Sequence, residues 1–260
     1  MNPVTTWLTA CVLATVMAIA LPARDSINLH RINLARLLPS LDEKIATLNN
    51  LVLQEQISRF SQIGNRISQV DSFEALVDIA DGTERYTDVR RNDKNNDKNY
   101  SRVDQIDGVW SYGETVTMLR TTRDALNDRI LQSGATEFSG DPEFEVGYRY
   151  AAGNHRWFLT VGPKIYWLDF EASVRFAAQT GDLRRIAWTS SPLPPETGVG
   201  RVTWTVDFQS VEIAGRLCTV PETAVYRIAR NGSGHRADWN VTKFSGRGRY
   251  GSETSVRFEP

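Results

Sequence analysis

From Glu143 to its end the chain is a succession of short runs of strand length, separated by turn residues. Arg201 to Phe208 sets the pattern most clearly. Val202, Trp204, Val206 and Phe208 fall on one side of an extended backbone, and Thr203, Thr205 and Asp207 fall on the other. Strict alternation of this kind predicts a half-buried antiparallel strand, because successive side chains point to opposite faces. Strands are also expected at Val146 to Tyr150, Arg156 to Val161, Ile165 to Phe170, Ser173 to Ala178 and Leu183 to Thr189. Thr180-Gly181-Asp182 and Ala214-Gly215 read as turns, and Asn231 to Gly234 as a hairpin loop. The proline-rich Ser191 to Gly200 must be a loop, since proline donates no hydrogen bond to a sheet. Further strands follow at Leu217 to Arg227, with Pro221 at a bulge or edge, at Ala237 to Phe244, and at Ser255 to Glu259. Gly246 to Arg249 reads as a turn between the last two.

The first half adds a few strands and the helices. Leu51 to Gln62 and Phe73 to Ala80 read as strands, and Glu84 to Val89 returns beside the second through an Asp81-Gly82 turn. Arg90 to Asn99 has no apolar residue and reads as a solvated loop. Leu34, Leu37, Leu38, Leu41, Ile45 and Leu48 recur at helical steps. Pro39 is expected to end a short helix, with Ser40 and Glu43 framing a second one to about Asn50. Ser111 to Glu114 reads as another capping box, before a helix with Val116, Leu119, Leu126 and Ile130 on one side and Gly134 at its end. No βαβ crossover pattern is present. The expected class is α+β, mainly β: an antiparallel, unclosed half-barrel sheet wrapped over two or three helices, with an N-terminal helical extension.

Trp7 to Leu21 is apolar and uncharged, and shorter than the roughly 20 residues of a membrane span. Ala18-Ile19-Ala20 and Leu21-Pro22-Ala23 offer small-residue cleavage sites just before Arg24. The expectation is a signal peptide over 1–23, a helical segment over 24–50 and one β-rich domain over 51–260. An uncleaved anchor is the alternative for the first segment. Once Cys11 is removed, Cys218 remains alone and can form no internal disulfide. It reads as a small buried hydrophobe. An exported chain without disulfides points to a periplasmic or secreted bacterial protein.

Composition bounds the function. The 30 basic and 31 acidic residues nearly cancel, so no global field draws the chain to nucleic acid or an anionic membrane. His30, His155 and His235 are not at metal-ligand spacing with one another or with other donors. No phosphate loop, dinucleotide glycine motif or nucleophile elbow occurs. Asp141, Glu143 and Glu145 read as a solvent face. No catalytic residue, metal or cofactor is expected, and the chain does not read as an enzyme.

Several segments are familiar in their order. They are Asp81 to Arg90, Ser111 to Leu119, Val161 to Trp167, Thr180 to Ile186, the proline loop, Val202 to Phe208, and Phe244 to Phe258. Together they resemble uncharacterised exported bacterial proteins that in turn look like the lipoprotein-carrier (Lol) superfamily. The resemblance covers roughly Leu51 to the C-terminus. It implies a half-barrel over helices, with apolar space that takes acyl chains. Trp157, Trp188, Trp204, Val206 and Phe208 are the expected ligand-lining residues, although an alternating apolar face also fits a filled core. No lipoprotein-binding residue of the carriers aligns here. The expected partner is a lipid or an acylated protein, and membrane contact is peripheral at most. The first functional expectation is a non-catalytic envelope protein that binds a lipid or acyl chain. The alternative is a protein-interaction or regulatory module on the same fold with a filled core.

Overall fold

The computed structural model describes residues 37–92, 98–100, 106–128, 130–138, 141–152, 157–232, 235–250 and 256–259. The proposed signal peptide, Cys11, Leu34, His30 and His155 lie outside the described residues.

Two helices and fourteen strands are described. Helix α1 covers 37–47, and α2 is Val116–Asp128. The strands are β1 Leu51–Ile63, β2 Arg66–Ala80, β3 Thr83–Asn92, β4 Lys98–Tyr100, β5 Ile130–Phe138, β6 Asp141–Tyr150, β7 Phe158–Val161, β8 Lys164–Trp167, β9 Phe170–Ala177, β10 Leu183–Ser190, β11 Val199–Ile213, β12 Arg216–Arg230, β13 Arg236–Tyr250 and β14 Val256–Glu259. Twelve of them form one antiparallel sheet. Its order is β4-β3-β2-β1-β13-β12-β11-β10-β9-β6-β5, and β14 pairs with the far end of β13. β7 and β8 form a separate two-stranded hairpin. The sheet is unclosed, with β4 and β5 at its edges.

Helix α2 shows how the sheet curves. It touches β3 near one edge and both β5 and β6 at the other, so the sheet curls round it. Met118, Leu119, Ala125 and Leu126 enter the same core as Leu37, Leu41 and Leu48 of the α1 segment. Val202, Trp204, Val206 and Phe208 all face that core, as their alternation requires. Cys218 is buried in it too.

Register joins these strands into one line. Tyr148, Ala172, Trp188, Trp204, Tyr226, Asn240, Arg59 and Asp71 are successive cross-strand partners from β6 to β2. Directly paired residues share a face, and every member is buried. The row is aromatic at one end and ionic at the other. Arg59 forks onto Asp71 through two bonds of 2.6 Å, and Arg91 reaches the same carboxylate at 2.9 Å. Arg59 Nη1 also donates to the carbonyls of Asp107 and Val109. It thereby ties the segment before α2 to the sheet.

Several local expectations are corrected. Helical backbone runs through Pro39 without a break, and Ser40 accepts a hydrogen bond from Lys44 Nζ rather than capping a second helix. The box at Ser111 does not form either. Ser111 Oγ accepts from Asn240 Nδ2 at 2.8 Å, while the Thr117 amide at the start of α2 donates to Glu84 Oε1, also at 2.8 Å. A carboxylate from β3 thus caps α2 where sequence pointed to a local one. Ile130 and Gly134 belong to β5, not to the helix or its end. The polar run begins inside β3 and ends in β4, so only 93–97 lies outside the described residues. Strand pairing recruits its charged ends, and Arg91 finds Asp71 there. Gly246 to Arg249 continues β13 past a bulge at Gly246, because β1 and β14 pair with Arg247 to Arg249. The run from Ile165 to Phe170 is split, ending β8 at Trp167 and starting β9 at Phe170. Glu143 is buried, not solvated.

Other expectations hold. Asp81-Gly82 and Ala214-Gly215 turn with positive φ at both positions, as a tight hairpin turn demands. Pro221 sits beside a bulge, where the register slips from Asp207↔Thr223 to Phe208↔Pro221. The pairing of β12 with β13 also stops at Thr223.

Candidate functional site

A cavity of about 760 Å³ opens beside α2 on the concave side of the sheet. Its deep wall is aromatic and buried: Tyr150, Phe170, Trp204 and Tyr226 come from four strands of the large sheet, with Leu168 between β8 and β9. Its mouth is polar and exposed. Thr117, Arg120, Thr121 and Asp124 line it from one stripe of α2, at the three- and four-residue steps that place side chains on one helix face. The opposite stripe is the one buried in the core. The β2–β3 turn supplies Gly82 and the start of β3 supplies Thr83 and Glu84, and Arg120 Nη1 clamps the turn by donating to the Gly82 carbonyl at 2.7 Å.

Trp157 connects mouth and wall. Its ring stands edge-on to Trp204 and to Trp188, with centroids 4.7 and 5.0 Å apart. Its Nε1 donates to Thr121 Oγ1 at 3.1 Å. Gly113, at φ 95°, lets that indole approach; a Cβ there would sit 2.8 Å from the ring.

The five expected lining residues take different positions. Trp157 and Trp204 line the cavity. Trp188 lies behind them, packed on both and bonded through Nε1 to the Tyr148 hydroxyl at 2.9 Å. Val206 and Phe208 are buried in the core and do not line the cavity. Sequence reasoning missed Tyr150, Phe170 and Tyr226, which reach the same space from β6, β9 and β12. Their alternation within each strand was visible, but the register that brings them together was not.

A second group lies behind the cavity wall. Tyr86 lines the cavity and donates to Glu84 Oε2 at 3.0 Å, while the Gly113 amide donates to its hydroxyl at 2.8 Å. Glu55 and Glu114 are buried beside these residues. Burial, and then the carboxylates of Glu114 and Glu84, hold the Glu55 carboxyl well above the usual carboxylate range. Burial pushes Glu114 up to about 7, against the opposing hydrogen bond of Ser111 and with a further upward push from Glu84. Burial likewise raises Tyr86. Burial thus favours the protonated forms of Glu55 and Tyr86, and sets Glu114 to lose its proton near neutral pH. Glu84, which lines the cavity as Asp124 does, has both oxygens engaged, by Thr117 and Tyr86.

Among the described residues no three His, Cys, Asp or Glu side chains are grouped to hold a metal ion. No described helix is long and apolar enough to cross a membrane.

No family model and no curated protein matches the chain. Solved structures similar to it include the following two. A DUF1329 family protein from Desulfovibrio piger is 12% identical, with 86% of this chain and 94% of that one covered and a TM-score of 0.43. LprF from Mycobacterium bovis is 8% identical, with 86% and 96% covered and a TM-score of 0.26. Neither likeness assigns a ligand or a role to this chain.

Proposed function

We propose that this protein is a non-catalytic binder of apolar molecules, a lipid or an acyl chain, in the bacterial envelope. The supporting observation is the cavity itself: about 760 Å³, walled by buried aromatic side chains and rimmed by polar ones. That volume falls in the range of small-molecule sites, and an aromatic wall with a few polar groups suits a ligand held mainly by apolar burial. Each Å² of apolar ligand surface removed from water contributes about 25 cal/mol. A binding role also agrees with the state of the acids. Of the carboxylates that line the cavity, Glu84 is engaged by Thr117 and Tyr86 and Asp124 pairs with Arg123 at the exposed rim, while Glu55 and Glu114 lie behind the wall. The uncharged segment from Trp7 to Leu21 supports export.

The test is gentle extraction and mass spectrometry of the protein purified from a bacterial periplasm. Near-stoichiometric apolar molecules are expected. They should be lost in Thr117→Trp, whose exposed position on the cavity rim admits an indole without disturbing the core. Circular dichroism should show the fold retained. A folded wild-type protein that comes out empty, and takes up no methyl decanoate or decane delivered from cyclodextrin, would overturn this reading in favour of an interaction module.

A further inference from the structure

The apolar wall of the cavity is aromatic beyond what apolar burial requires. Among the described residues that line it, Leu168 is the only aliphatic one, and the other apolar side chains are Trp, Tyr or Phe. The adjoining core, by contrast, is rich in Leu, Val and Ile. Aliphatic groups exclude water from a bound chain as well as rings do, at the same roughly 25 cal/mol per Å². What rings add is a negative face, which attracts a cation. Their geometry suits that use. Trp157 stands at 86° to Trp204, and Trp204 at 76° to Tyr226, with centroids 4.7 and 5.4 Å apart. The corner of such a pair is bounded by a face of each ring.

The charges around the wall favour the same occupant. Arg120 is the only cationic residue among the described lining residues, and its guanidinium is held at the mouth on the Gly82 carbonyl. Glu84 and Asp124 line the same space. Behind the wall, the charges that act on Glu55 and Glu114 are those of other carboxylates. Two hydroxyls join this cluster to the cavity. Tyr86 donates to Glu84 Oε2 and, at 3.5 Å, to Glu114 Oε2. Ser111 bonds Glu114 and accepts from Asn240, the cross-strand partner of Tyr226. An acidic cluster behind an aromatic wall is complementary to a positive charge in front of it.

We propose that the cavity takes amphiphiles with an ammonium head and an apolar chain, the head seated among Trp157, Trp204 and Tyr226 in front of the Glu114 cluster. This deepens the reading of the cavity as a site for apolar molecules and rests on it. A quaternary ammonium fits such a wall, because it has no N–H that needs a hydrogen-bond acceptor. Glu114 supplies a second readout. It faces Glu55 of β1, Glu84 and Tyr86 of β3 and Tyr226 of β12. Burial, partly opposed by the Ser111 hydrogen bond, sets it to titrate at about 7. A cation in front of the wall favours its ionised form, so the cation binds more tightly as pH rises through that value.

The experiment is isothermal titration calorimetry of the full protein with decyltrimethylammonium, decanoate and tetramethylammonium, and with methyl decanoate delivered from cyclodextrin. Decyltrimethylammonium should bind about tenfold more tightly than decanoate, which has the opposite charge. It should exceed tetramethylammonium, the head alone, by about a hundredfold. Trp157→Leu keeps an apolar side chain but removes a ring. It should weaken decyltrimethylammonium about tenfold and leave methyl decanoate within about twofold. From pH 5.5 to 8.5 the affinity for decyltrimethylammonium should rise about tenfold, and Glu114→Gln should flatten that rise. If circular dichroism shows Trp157→Leu unfolded, the wild-type pH profile and Glu114→Gln decide. Decanoate as tight as the cation, tetramethylammonium as tight as its long-chain relative, a cation affinity untouched by Trp157→Leu, or a flat wild-type pH profile would overturn the proposal. Uptake of methyl decanoate in those cases would leave the cavity reading standing. Binding of none of the four compounds would sink both.

Discussion

Asp71 shows how much one carboxylate holds in place. It receives Arg59 through a fork and Arg91 from β3, with its side chain almost wholly buried. Arg59 in turn anchors the backbone just before the cavity wall at Trp110 to Gly113. Removing one partner of a buried pair strands the other charge, which costs about 3–5 kcal/mol. Asp71→Ala should therefore lose stability of that order in urea unfolding. Glu114 poses the opposite case. Its folded pKa is raised, so between the pKa of an unfolded glutamate and about 7 the folded chain holds a proton that the unfolded chain has released. Stability falls with rising pH across that window and levels off above it. Glu114→Gln removes this penalty. The variant should gain stability over the wild type progressively from pH 5 to pH 8, approaching about 3 kcal/mol, with little difference near pH 4. A gap between the two proteins that does not widen with pH would contradict the placement of this carboxyl.

At the scale of elements, the helices are held by what they bury. Leu41 and Leu48 are completely enclosed between α1 and the sheet. Leu41→Ala should destabilise by roughly 2–5 kcal/mol in chemical unfolding, the range for a large core deletion. The leucine stripe announced this packing, since only an apolar face at helical spacing needs such cover. The start of α2 was not announced. Its cap comes from Glu84, 33 residues away in sequence, and a local pattern carries no record of a partner from another strand. The same blindness explains Gly246 to Arg249. Glycine and arginine suggested a turn, but β1 and β14 pair with Arg247 to Arg249 on either side, and Gly246, at φ 49°, is only a bulge in the strand. Strand pairing also claimed both ends of the charged run after Val89.

On the scale of the whole molecule, an unclosed sheet has a middle and two ends. β11, β12 and β13 are long and flanked on both sides, whereas β4 pairs with β3 alone and β5 with β6 alone. Local opening is easiest where neighbours are fewest. Amide hydrogen exchange should be slowest in the central strands and faster by orders of magnitude in β4. Equal protection across the sheet would be inconsistent with this topology. The cavity belongs to this scale as well. It exists because the sheet curls round α2 without closing, which leaves one flank of the helix facing aromatic strands across an open space.

By itself, the sequence determined the antiparallel, mainly β character, several turns, the inward face of cleanly alternating strands such as β11, and the apolar stripes of the helices. Those features depend on neighbours two to four positions apart, and period alone encodes them. Only the tertiary structure decided that Trp157 and Trp204 border a cavity while Val206 and Phe208 fill a core, though Trp204, Val206 and Phe208 share one alternating face. It also decided that Tyr226 stands beside Trp204, and that Glu55 and Glu114 are buried near the same space. The physical reason is register and curvature. A strand's pattern fixes which way a side chain points, but the pairing of distant strands fixes what it meets there.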